Sequence, residues 1–177
     1  MRCFPQFAGL AGWSLVGLLA ATGCDCPKAD PPPPQFRLAF STDTLASGGL
    51  GFRRAEVRSA YLVRYSTADF QSLVDTLRQP TPATAKSSKP VLGIYYYDAA
   101  NPHPPQFAVP DYVSQNNFAR SFRLVVPAAN RTFDITNVVI QQAAGSGRCA
   151  LSHTTRNEAT VNGQVRNGLS NIPELTK

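Results

Sequence analysis

From residue 35 onward the hydrophobic positions recur mostly at every second residue, the period of a strand with one buried face. Phe36, Leu38 and Phe40 alternate with Gln35, Arg37 and Ser41. Between residues 54 and 66, Ala55, Val57, Tyr61, Val63 and Tyr65 share one parity, and Arg54, Glu56, Arg58, Arg64 and Ser66 the other. That alternation predicts a half-buried antiparallel strand whose arginines face water. Residues 91–97 are apolar on both parities, as in a strand covered on both sides. Phe118, Phe122, Leu124 and Val126 again share a face, opposite Ser121 and Arg123. The parity then switches, with Phe133 and Ile135 odd but Val138 and Ile140 even. One extra residue near Thr136 and Asn137, a β-bulge, reconciles the two halves. Val161-Asn162-Gly163-Gln164-Val165 sets an Asn-Gly pair between β-branched residues and predicts a tight hairpin. Arg166-Asn167-Gly168 then closes the structured region.

Residues 66–79 break the rhythm. Phe70, Leu73, Val74 and Leu77 fall at helical spacing, Ser66 or Thr67 is available as an N-cap, and Pro80 is a stop. The spacing favours a helical turn over an irregular edge crossing. Residues 80–90 are polar and punctuated by proline, as in a mobile loop. Several short strands separated by turns, with at most one short helix, predict an all-β fold. The expected architecture is an antiparallel β-sandwich of immunoglobulin- or transthyretin-like type.

The first residues change the picture of where this domain works. Met1-Arg2 is a short positive start, residues 7–20 are almost wholly apolar or small, and Ala21-Thr22-Gly23-Cys24 places small residues before a cysteine. The apolar run is short and glycine-containing for a spanning helix of ~20 residues. It reads as a lipoprotein signal over residues 1–23, with lipidation at Cys24. Residues 24–34, ending in Pro31 to Pro34, form a proline-rich stalk, since consecutive prolines extend by ~3.1 Å per residue. Residues 35–177 form a single domain. The expected location is the cell envelope, lipid-anchored to the outer membrane on its periplasmic or surface-exposed face. The net charge of +6 is scattered rather than gathered in a run, which argues against nucleic acid as a partner. The expected partners are the membrane, through the anchor, and envelope proteins or glycans. Export leaves Cys26 and Cys149 outside the reducing cytosol as a candidate disulfide.

The two histidines, His103 in a proline loop and His153 in a polar stretch, bring no recognisable catalytic motif with them. No catalytic residue, metal ligand set or cofactor is assigned from the sequence. Arg53, Arg54, Arg58 and Arg64 pose an anion site against the solvated side of a strand, and alternation favours the latter. Tyr95, Tyr96 and Tyr97, with Phe107 and Tyr112 nearby, form a candidate stacking platform for sugar rings.

The lipobox, the Cys24-Asp25-Cys26-Pro27 start, Gly51-Phe52 leading into Ala55-Glu56-Val57, the run from Tyr61 to Tyr65, and Asp134-Ile135-Thr136-Asn137 before Cys149 carry a resemblance. Over most of the mature chain the sequence resembles small bacteroidete-type (Gram-negative) envelope lipoproteins. The resemblance implies a surface or periplasmic lipoprotein and supplies no catalytic residues. Asp43-Thr44-Leu45 and Asp75-Thr76-Leu77 resemble the O-glycosylation acceptor of such proteins, making Thr44 and Thr76 candidate modification sites. The expected function is a non-catalytic binding or structural role rather than an enzyme. A glycan-binding accessory module or a small envelope hydrolase are the alternatives.

Overall fold

A computed structural model of the chain describes residues 34–42, 49–81, 90–97, 103–109, 119–145 and 151–177. The expected signal and most of the expected stalk, with Cys24, Cys26, Thr44, Tyr112, Cys149 and most of residues 80–90, lie outside the described residues. The order is β1 (Arg37–Phe40), α1 (Arg54–Arg58), β2 (Tyr61–Tyr65), β3 (Leu73–Arg78), β4 (Ile94–Tyr95), β5 (Gln106–Ala108), β6 (Ser121–Val126), β7 (Arg131–Ala143), β8 (His153–Val161), β9 (Gln164–Asn167) and β10 (Glu174–Leu175). A single 3-10 turn at Pro127–Ala129, closed by Asn130 at φ 50°, joins β6 to β7.

The strands form two sheets, ordered β10-β1-β5-β4 and β3-β2-β6-β7-β8-β9. Their buried faces make one core, to which Leu38, Phe40 and Phe107 come from the first sheet and Leu62, Leu124 and Ile135 from the second. The fold is the all-β sandwich that the alternation predicts. Pairings are antiparallel except β1 with β10, which run parallel through Ala39↔Glu174 and Phe40↔Leu175. Phe52, in the connection between β1 and α1, lies between the layers. Its ring meets Phe40 edge-on at 5.4 Å and Phe133 at 6.1 Å, so one side chain touches both sheets.

Two local expectations hold. The β7–β8 register shifts between Thr136 and Val139, and Asn137 sits at φ 50°, so the parity change is a bulge. Asn162 (φ 48°) and Gly163 (φ 78°) close the β8–β9 hairpin as a type I′ turn, with Val161 opposite Gln164.

Others are corrected. Residues 54–58 are one helical turn and not strand. Arg53 lends its N–H to the Glu56 carboxylate at 2.6 Å, and Ala55 and Glu56 are good helix formers. The turn shifts the parity of β2, where Leu62 and Arg64 point inward while Tyr61, Val63 and Tyr65 are half-exposed. Residues 66–72 are a turn in which the Thr67 hydroxyl accepts N–H groups from Gln71 and Ser72. The chain then pairs with β2 as β3, because the free edge of β2 offers a whole ladder of hydrogen bonds where an isolated helical turn satisfies few. Leu77 is buried there, whereas Leu73 and Val74 are exposed. Residues 91–97 contribute only the short edge strand β4, with Val91 and Tyr95 exposed. The structured region continues beyond Gly168 to β10.

Candidate functional site

The site is organised where α1 ends. Gln79, just past β3, donates through Nε2 to the carbonyls of Val57 at 2.8 Å and Ala60 at 3.1 Å. Val57 O, at the end of α1, also accepts the Ala60 N–H at 3.0 Å, so Gln79 adds a second bond there and ties down the residue that follows the helix. Its Oε1 accepts the Tyr96 hydroxyl at 2.8 Å. One amide therefore joins α1, the end of β3 and the tyrosine after β4. Ser59 fixes the other side, donating its hydroxyl to Glu56 O at 2.7 Å and accepting the Ala128 N–H at 3.1 Å.

Around this frame opens a groove of about 420 Å³, lined among others by Arg58, Ser59, Tyr61, Arg78, Gln79 and Tyr96. That volume lies within the ~300–1,000 Å³ range of small-molecule sites. The Arg78 guanidinium sits 4.9 Å from the centre of the Tyr61 ring, and that of Arg54 sits 5.4 Å from the centre of Tyr96. Burial pushes the Tyr96 hydroxyl pKa above its ordinary value, against the opposing pull of Arg58 and Arg54. Arg64, Arg123 and Arg156 each pair with a carboxylate, but Arg54, Arg58 and Arg78 have no such partner among the described residues. Three unpaired guanidiniums and two tyrosine rings thus gather on one hydrogen-bonded frame. Such a surface has the chemistry to take an anion attached to a flat or ring-shaped body.

The sequence-derived candidates fall differently. Tyr95, Tyr96 and Tyr97 do not make one strip. Tyr95 is 64% exposed, Tyr96 packs on the core and borders the groove, and Tyr97 meets the His103 ring edge-on at 5.2 Å. Phe107 is fully buried and is core rather than platform. The arginine group divides too. Arg58 lines the groove and Arg54 stacks at its border on Tyr96, whereas Arg64 is 3% exposed and forks onto both oxygens of Asp75. Arg78, Gln79 and Tyr61 escaped sequence reasoning because they meet Arg58 only once β2 and β3 pair. The pattern that hid them was the helical spacing of residues 70–77.

Thr76 is exposed, between Asp75, which is engaged with Arg64, and Leu77, which is buried. The Asp-Thr-Leu triplet at this position is therefore explained by strand alternation, with the threonine accessible. Thr44, Cys24, Cys26 and Cys149 lie outside the described residues. Both histidines are exposed, and among the described residues neither has a carboxylate within hydrogen-bond distance. The described residues contain no cluster of three potential metal ligands and no helix long and apolar enough to cross a membrane. Compared with family models, with curated proteins and with solved structures, the chain matches none.

Proposed function

We propose that the chain is a lipid-anchored cell-envelope protein that acts by binding, without catalysis of its own, and that the groove beside α1 is its binding surface. The observation that carries this reading is the gathering of Arg54, Arg58 and Arg78, unpaired among the described residues, around the rings of Tyr61 and Tyr96. Unpaired cations held in place on aromatic faces contribute little to folding and suit a ligand that arrives with the opposite charge. The anchor follows from the lipobox ending at Cys24, and the resemblance to bacteroidete-type envelope lipoproteins agrees with it. Acyl chains contribute ~0.8 kcal/mol per buried methylene, so a multiply acylated cysteine holds the domain firmly to a membrane.

Two measurements test the proposal. Cells given a labelled fatty acid should label the wild-type chain and not Cys24→Ser; an unlabelled wild type removes the anchor. The full exported chain, purified in detergent, should co-sediment with protein-free envelope polymers from its host cells. Arg78→Glu should abolish that co-sedimentation, and retention by this variant removes the groove as the binding surface.

A further inference from the structure

The chemistry of the groove narrows its ligand. Phosphate sites are usually built on free backbone N–H groups, at helix N-termini or in nests. Here the end of α1 that borders the groove is the carbonyl end, so the helix offers no free N–H groups there. The N–H groups of Ser59 and Ala60 are already bonded to the carbonyls of Glu56 and Val57. Recognition of an anion is left to the side-chain forks of Arg58 and Arg78. A planar guanidinium matches a planar carboxylate with two parallel hydrogen bonds. Beside these forks stand Tyr61 and Tyr96; Arg78 and Arg54 each cover one ring face, and the rest of the two rings gives the groove an apolar wall for the C–H-lined side of a pyranose.

We infer that the groove binds a carboxylated sugar unit of an acidic polysaccharide, with Arg58 and Arg78 on the uronate carboxylate and the tyrosine rings against the sugar. This inference rests on the proposal that the groove is a binding surface. Arg54 acts as a positioning residue. Stacked on Tyr96, it keeps that ring in place while adding positive potential. Gln79 does the same from the other side through the hydroxyl.

Titration of the full exported chain in detergent with an oligogalacturonate tests the inference, read by calorimetry and by shifts of the tyrosine and arginine side-chain resonances. The acid oligomer should bind, and its carboxyl-reduced neutral counterpart should bind at least about tenfold more weakly, the scale of one lost charge-assisted hydrogen-bond pair. Arg58→Ala and Arg78→Ala should each weaken the acid oligomer by a similar factor with an unchanged melting temperature. Arg131→Ala, an exposed arginine of β7, should leave affinity intact. Equal binding of the neutral oligomer overturns the carboxylate assignment, as does inorganic phosphate competing at lower concentration than the uronate. An equal loss in Arg131→Ala shows diffuse charge attraction and overturns the site. If the oligogalacturonate leaves the groove resonances unmoved while envelope polymers still bind in an Arg78-dependent way, only the sugar class falls; if neither binds, the binding reading falls with it.

Discussion

Arg64 is the residue whose environment departs furthest from what its type suggests. Its guanidinium is inside the sandwich and is neutralised by a two-pronged contact with Asp75, itself partly open to water. Removing one member of a buried pair leaves an uncompensated charge, so Asp75→Asn should lower stability by about 3 kcal/mol in urea unfolding. Replacing both residues with apolar ones of similar volume should cost less than that single change. Alternation placed Arg64 outside because periodicity finds which residues share a face and is silent on which face is buried. The partner that makes burial tolerable, Asp75, sits on another strand. A second residue-scale effect is at the surface. The Lys177 ammonium bonds Glu56 at 2.8 Å, and with the Arg53 N–H it holds the Glu56 carboxyl below its ordinary value of 4.5. A lowered acid contributes stability above its unfolded pKa, and that contribution is lost as pH falls from about 4.5 through the lowered value. Lys177→Met should therefore lower the melting temperature at pH 7 and make little difference at a pH below both values. A difference that persists undiminished in acid excludes this linkage.

At the scale of elements, what was legible was local. The Asn162-Gly163 hairpin and the bulge at Asn137 were readable because each is specified by a few adjacent residues. Gly163→Ala meets no steric obstacle, as nothing lies within 4 Å of an added Cβ, yet its φ of 78° disfavours any side chain. It should cost about 1 kcal/mol, measured by denaturant midpoint, with the slope unchanged. Asn162 also braces this turn on β7, its Oδ1 accepting the Asp134 N–H and its own N–H reaching Asp134 O, both at 2.8 Å. The helix-like spacing of residues 70–77 misled for the opposite reason. Four apolar residues cannot outweigh a ladder from Tyr61↔Arg78 to Tyr65↔Leu73 that becomes available only after β2 has formed. The groove beside α1 shares that origin, being built from three segments that meet through pairing at a distance.

Across the whole molecule, the sandwich class followed from repeated alternation, whereas the joining of its layers did not. Phe52 lies in no strand and precedes α1, yet it links Phe40 with Phe133 across the core. Phe52→Ala should destabilise the domain by about 3–5 kcal/mol, among the largest effects of any single substitution, with the far-ultraviolet spectrum still dominated by strand under native conditions. A loss under about 1 kcal/mol, the scale of an ordinary substitution, would show that the layers are held elsewhere. Neither did the sequence announce β10, whose two residues have no periodicity of their own and whose partner β1 lies at the other end of the domain.

That parallel pairing decides how the domain carries mechanical load. β1 begins at Arg37, near the first described residue, and β10 lies beside it in the same direction, with Ala39 N–H bonded to Pro173 O at 3.0 Å and Ser41 N–H to Leu175 O at 2.9 Å. Tension applied between residue 34 and residue 177 pulls two parallel neighbours lengthwise past each other, so these bonds are strained together instead of peeling one by one. Single-molecule stretching from residues 34 and 177 should give one sharp rupture, and Phe40→Ala, which loosens β1 against the core, should lower its force.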